Sequence, residues 1–309
     1  MAELLRGPGV EIALVPITTT GDRYRRQPFG QIGERGVFVK ELEEALLDDR
    51  IDVAVHSAKD MTSTDTSGLV VGAYPAREDP RDALVGSDRI TRGMRVGTAS
   101  ARRRAQLLAM EPSLSVEPLR GNIDTRLRKL RERRLDAIVL AACGLDRLGL
   151  GSEIGLRFDP VDVLPEAGQG ALALQLRRGD EGLVLRIDDT ETRRRVEAER
   201  ACVAAIGGGC LAPVAAYHDG TELAALVADE DGRWIERRRG GDPAAMGSEL
   251  AELAARRASS RALSSPARLN RRSRSRPVSV RSVTPSSSAH SYASMRREAS
   301  RSSSLRTTV

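Results

Sequence analysis

The stretch Ile51-Asp-Val-Ala-Val-His-Ser-Ala-Lys-Asp60 opens as an apolar, β-branched run and ends in His56, Ser57, Lys59 and Asp60. A buried strand that stops in polar, reactive side chains is how open α/β sheets present active sites, at the carboxyl ends of their strands. Here an acid, a cation and a hydroxyl lie within five residues of one strand end. The competing reading is a plain strand followed by a solvated loop.

Two further strand ends carry arginine. In Val96-Gly-Thr-Ala-Ser-Ala-Arg-Arg-Arg104, Thr98 and Ser100 sit where free backbone N–H groups and hydroxyls can bind an anion. Arg102 and Arg103 add guanidinium forks, which grip carboxylate or phosphate through paired bonds. Leu119-Arg-Gly-Asn-Ile-Asp-Thr-Arg126 repeats the arrangement: Arg120 ends a strand, Gly121 permits close approach, and Arg126 lies on the first turn of a helix. Solvated helix faces are the bland alternative. The glycine pattern is neither a Walker loop nor a dinucleotide fingerprint, which argues against nucleotide binding. Gly207-Gly-Gly-Cys210 places a thiol on a glycine-rich loop, as a nucleophile, an attachment point or a small buried hydrophobe. Cys143 and Cys202 lie in apolar contexts and read as structural. The three cysteines have no metal-ligand spacing, so no metal site is expected.

Hydrophobic periodicity supplies the elements that position these residues. Strands are expected at 10–16, 51–55, 69–73, 95–98, 114–119, 136–141 and 171–176. Helices are expected at 37–49, 100–110 and 123–133, with a short one near Leu145. Arg77-Glu-Asp-Pro-Arg-Asp82 reads as a charged link. Alternation of this kind predicts an α/β fold with mainly parallel sheets. A helix over 190–205, strands at 214–217, 223–228 and 234–238, and a helix over 243–257 form a small α+β unit. From Ala258 the chain turns to Ser and Arg with almost no apolar content, which predicts disorder. The segment reads as a functional arginine/serine tail or, preferred, as translation in a wrong frame.

The 309 residues suggest two or three domains. Aromatics are only 3%, so the cores must be built from Leu, Val, Ala and Ile. No apolar run reaches the ~18 residues of a membrane span, and the start lacks the pattern of a secretory signal. Sparse cysteine favours a reducing cytoplasm. The net charge of +6 misleads: Arg256–Val309 holds thirteen Arg against one Glu, a net of +12, which leaves the body at −6. Nucleic acid is therefore expected to bind at most non-specifically, through the tail.

Seven motifs occur in one order: Phe38-Val-Lys-Glu-Leu-Glu-Glu-Ala-Leu, Ala54-Val-His-Ser-Ala-Lys-Asp60, Arg77-Glu-Asp-Pro-Arg-Asp82, Gly97-Thr-Ala-Ser-Ala-Arg-Arg103, Arg120-Gly-Asn-Ile-Asp-Thr-Arg-Leu127, Asp136-Ala-Ile-Val-Leu-Ala and Gly208-Gly-Cys210. Together they resemble porphobilinogen deaminase, also called hydroxymethylbilane synthase, over about Val10 to Arg257. The resemblance implies two periplasmic-binding-protein-like lobes, with the chain crossing between them twice, and a small third domain. On this sequence the domains become 1–75 with 169–187, then 76–168, then 188–257, then a disordered tail over 258–309.

The resemblance further implies polymerisation of four porphobilinogens into hydroxymethylbilane, with loss of ammonia, in tetrapyrrole biosynthesis. The cofactor would be dipyrromethane, held as a thioether by Cys210. Asp60 matches the catalytic carboxylate. Lys59, Ser57, Thr98, Ser100, Arg102, Arg103, Arg120 and Gly121 match cofactor positions, and Arg126, Arg120 and Arg103 match substrate positions. A monomeric cytoplasmic enzyme is implied, with no membrane partner. The chemistry suits the residues: pyrroles bearing acetate and propionate need repeated Arg forks, and loss of ammonia leaves a cation that a carboxylate can steady.

Departures accompany the match. The family opens with an Arg-(Ile/Val)-(Gly/Ala)-Thr-Arg-x-Ser-x-Leu-Ala-like strand and loop, so a central strand of the first sheet is expected to be missing, which would expose sheet edge. Ala99, Ala101, Met61-Thr-Ser and Glu166 differ from the usual residues, none at a matched functional position. The alternative function is a truncated, catalytically dead pyrrole-binding remnant.

Overall fold

The computed structural model describes residues 1–6, 11–17, 39–61, 66–132, 135–207, 213–264 and 304–308. The first lobe is built on a five-stranded sheet in the order β1 (Glu11–Leu14), β13 (Ser304–Thr308), β2 (Val53–Ser57), β9 (Leu172–Arg177), β3 (Leu69–Ala73). The first three of these run parallel, and β9 runs antiparallel to both its neighbours. Helix α1 (Ala2–Leu5) sends Leu5 into the core with Val53, Leu174 and Leu176. Helix α2 (Lys40–Leu47) buries Leu42, Ala45 and Leu46, the i, i+3, i+4 stripe that its sequence predicts, against Ile51, Ala54 and Leu69.

The second lobe has the order β6 (Ser115–Glu117), β5 (Arg95–Gly97), β7 (Ala137–Ala141), β4 (Asp82–Val85), β8 (Ile154–Arg157). Helices α3 (Ala101–Met110), α4 (Ile123–Glu132) and α5 (Ala142–Arg147) belong to this lobe. Leu107 packs with Val96 and Val139, and Leu127 and Leu145 pack with Ile138 and Leu140. Ser100 caps α3 by accepting from Arg103 N.

The third unit pairs an antiparallel sheet, β10 (Val214–His218), β11 (Leu223–Ala228) and β12 (Ile235–Arg239), with helices α6 (Thr190–Ile206) and α7 (Pro243–Ser264). All six residues of β11 are buried, because its two faces have different neighbours. Leu223, Ala225 and Val227 face Cys202, Val203, Met246 and Leu250 of the helices. Ala224, Leu226 and Ala228 pack on Ala105 and Leu164 of the second lobe. Trp234 packs, partly buried, on the edge of the helix-facing core.

Several expectations need correction. Both large sheets are mixed rather than mainly parallel, each with two parallel and two antiparallel pairings. The cause is the path of the chain. It leaves the first lobe through Arg77–Arg81 to enter the second as β4, and returns as β9, so both crossing strands run against their neighbours. Strand β4 lies partly in the stretch read as a charged link, and β8 went unread. The first sheet is not left open, since β13 fills the position between β1 and β2. Helix α7 also continues past Ala258 to Ser264. The expected disorder of 265–303 lies outside the described residues.

Candidate active site

Strand β2 is buried at Val53, Ala54 and His56 and leads directly into a single 3-10 turn, Ala58–Asp60. Burial keeps the turn's start fixed while its end reaches solvent: Ala58 is buried, Ser57 and Lys59 are half-buried, and Asp60 is exposed. Three neighbours fix the turn. Ala58 N donates to Ala171 O at 3.0 Å, and Arg200 Nη1 donates to Ala58 O at 3.3 Å. Gly168 takes φ +74°, and a Cβ there would stand 3.0 Å from both Ala58 C and Lys59 N. Only glycine combines that backbone with that approach.

Beneath the turn, His56 Nε2 meets Gln175 Oε1 at 3.0 Å, while Gln175 Nε2 donates to Glu43 Oε1 at 2.9 Å. Because the amide spends its N–H on Glu43, the imidazole donates from Nε2. Burial pushes the His56 pKa down from 6.5 to about 4, so the ring is neutral at physiological pH.

The second lobe brings the arginines. Thr98 is buried; its Oγ1 accepts from Ser100 N at 3.2 Å. Ser100 is half-buried at the head of α3. Both hydroxyls thus serve the strand-to-helix turn in this structure.

Arg102 and Arg103 do not project into solvent. Both are buried on Asp82, which is itself fully buried in β4. Arg102 Nη1 donates to Asp82 Oδ2 and to Leu164 O, each at 2.7 Å. Arg103 Nε donates to Asp82 Oδ1 at 3.0 Å and Nη1 to Val139 O at 3.0 Å. Gln169 Nε2 donates to Asp82 Oδ1 at 2.9 Å. Burial alone would raise the Asp82 pKa, but Arg102 and Arg103 hold it far below the usual carboxylate range. In the sequence Asp82 reads only as the end of a link, because a four-residue strand that begins among charges does not stand out.

Arg126 stands differently. It is half-buried on the first turn of α4, with Nε donating to Gly121 O at 2.7 Å. Burial lowers its pKa to about 10, Arg103 presses the same way, and Asp60 opposes them. That three-way interplay joins a carboxylate of the first lobe to two cations of the second. Gly121, at φ +123°, leaves no room for a Cβ, which would meet Thr125 Cγ2 at 2.6 Å. Its role is to seat the loop on α4. Arg120 is half-buried beside it, and its carbonyl accepts from Lys129 Nζ at 2.8 Å.

A second buried ion pair locks the crossover to the third unit. Arg77 Nη1 and Nη2 donate to Glu199 Oε1 and Oε2 at 2.6 and 3.1 Å. Glu199 also accepts from Gly168 N at 2.7 Å and His218 N at 2.8 Å. One carboxylate thereby touches the outward crossing, the return crossing and β10. Glu199, Arg200 and Gln169 escaped the sequence reading because their partners lie far along the chain. Cys202 is buried, and its thiol is pushed up to about 11, which suits a structural side chain; Cys143 is buried too. Cys210 lies outside the described residues.

Residues 1–184 match the family model described as porphobilinogen deaminase, dipyromethane cofactor binding domain, and residues 193–255 match porphobilinogen deaminase, C-terminal domain. The porphobilinogen deaminase of Roseiflexus castenholzii is 46% identical over 260 residues, covering 79% of this chain and 86% of that protein. That of Bacillus subtilis is 44% identical over 264 residues, covering 80% and 84%. Among solved structures, a TRAP periplasmic solute binding protein from Desulfovibrio salexigens overlaps at TM-score 0.31 and 12% identity, over 61% of this chain and 77% of that one. That likeness is too slight to carry an argument.

Proposed function

The chain belongs to the porphobilinogen deaminase family, and from that membership we propose the part its own residues play in the family reaction. The reaction joins four porphobilinogens head to tail into hydroxymethylbilane with loss of ammonia, in tetrapyrrole biosynthesis, on a dipyrromethane cofactor. The residues present fit that cofactor. Arg126 is a half-buried cation pressed by a second cation, Arg103, and such a site gains from anionic ligands. When bound, dipyrromethane supplies the pyrrole to which the growing chain is joined.

In this reading Arg126, Arg103 and Arg120 hold the carboxylates of cofactor and substrate, with Lys59, Ser57, Thr98, Ser100 and Gly121 completing the binding surface. Cys210 carries the cofactor as a thioether. Asp60 would face the pyrrole nitrogens of the bound chain, where its carboxylate can steady the positive charge that develops as ammonia leaves and take up the pyrrole proton. Arg102 belongs to the same binding set: its Nη1 is anchored on Asp82 and Leu164 O, while its buried Nε and Nη2 have no hydrogen-bond partner among the described residues and are open to a cofactor carboxylate. The observation that supports the reading is Arg126, half-buried on the first turn of α4, which feels both the Arg103 cation and the exposed Asp60 carboxylate of the first lobe. The assigned limits, 1–75 with 169–187, 76–168 and 188–257, are supported by which strands share each sheet. The protein is assigned to the cytoplasm as a monomer without a membrane partner, with nucleic acid bound at most non-specifically through the tail; among the described residues no helix is long and apolar enough to cross a membrane.

The test is a pair of substitutions. Asp60→Asn is expected to keep the cofactor mass increment while turnover falls by about 10²–10⁴-fold. Near-normal turnover would remove Asp60 from the reaction. Cys210→Ala is expected to lose the mass increment of dipyrromethane, and an unchanged increment would move the attachment elsewhere.

A further inference from the structure

The strand β13 is far in sequence from every other strand of its sheet, yet it lies between two of them. Among the described strands β1 pairs with β13 alone, through Glu11↔Ser304, Ile12↔Leu305, Ala13↔Arg306 and Leu14↔Thr307. On its other edge β13 pairs with β2, through Thr307↔Val53 and Thr308↔Ala54. Three of the four residues of β1 are exposed and only Ile12 is half-buried. A strand with so little buried surface depends on its backbone ladder for its place in the sheet. Three residues beyond its pairing with β13, β2 becomes Ser57 and then the Asp60 turn.

We propose that residues 304–308 are a built-in parallel strand that docks in a slot between β1 and β2, joins β1 to the sheet and holds the strand that carries the Asp60 turn. Recognition runs through main-chain hydrogen bonds, as when an extended peptide is added to a sheet, so a Ser/Arg-rich sequence is no obstacle. Parallel neighbours cannot be joined by a tight hairpin and need a long connection. The chain between β2 and β13 meets that need. Tethering makes the docking intramolecular, so its effective concentration does not fall on dilution as that of a second copy's segment does. The inference rests on this ladder and not on the catalytic assignment above.

Amide hydrogen exchange decides it, because no activity is needed to read it. In the unaltered full chain, amides of 304–308 are expected to be protected together with those of 11–14. Exchange of 304–308 at the rate of an unstructured peptide would overturn the proposal. In the double variant Leu305→Pro, Thr307→Pro, which keeps the chain's length but removes two donors, amides of 11–14 and 53–54 are expected to exchange about tenfold faster or more, while those of 137–141 in the other lobe stay unchanged. Unchanged exchange at 11–14 would also overturn it. Protection that fades on dilution, with a dimer in sedimentation, would assign the strand to a second copy and refute docking within one chain.

Discussion

Asp60 and Asp82 are both aspartates that answer to arginine, and they do opposite work. Asp82 is fully buried, and Arg102, Arg103 and Gln169 take up its oxygens. Asp60 is exposed at the end of a turn and acts electrostatically on Arg126 of the other lobe. A buried carboxylate with its partners already fixed can only hold structure, since freeing it would strand charge in a low-dielectric interior. An exposed one, on a turn fixed by its backbone contacts, can still interact with a ligand. The contrast shows that arginine beside aspartate in a sequence does not say which of the two roles a pair will take.

Substitution can break that contrast in order of size. The largest effect belongs to Asp60→Asn, where the turnover loss given above should come with a change in unfolding free energy within ~0.5 kcal/mol. Asp82→Asn should do the reverse. It leaves two buried guanidinium groups without their counter-charge and should cost about 3–5 kcal/mol in urea unfolding. Equal loss of stability in both variants would erase the distinction.

His56 sharpens the picture beneath Asp60. Its folded pKa, about 4, lies below the ordinary 6.5, so the stability tied to the neutral ring is fully present above 6.5 and drains away as pH falls toward 4. The linked loss is about 3 kcal/mol over that window. His56→Gln should flatten this part of the stability–pH curve, and a curve of unchanged slope would show that other groups set it. The smallest effect is expected at Gly168→Ala, about 1–3 kcal/mol from the left-handed backbone and the crowding of Lys59 N. Turnover should fall with it, because the atoms crowded are those of the Asp60 turn; full turnover would mean that the turn yields freely.

The site was legible where strand pattern and side-chain type coincide. Val53–Ser57 alternates poorly but is β-branched and apolar, and its polar end marked Asp60 directly. The helices that carry Ser100 and Arg126 could be read from their apolar periodicity. What stayed hidden depends on pairing at a distance. Asp82 sits among charges in a four-residue strand too short to announce itself, and Glu199 looks like any acid on a charged helix. Direction in the sheets was misread because periodicity shows a strand but not its neighbour. The strand at Ser304–Thr308 was invisible for the same reason: its ladder uses backbone, which every sequence has.

Trp234 is the only tryptophan in the chain, and it sits on the helix-facing core of the third unit. The protein therefore carries a private optical reporter. Indole emission follows the release of that unit alone, while far-ultraviolet dichroism sums all three sheets. Where the two melting curves part, the gap between them measures how firmly Glu199 and its bonds to Arg77 and Gly168 couple the third unit to the lobes.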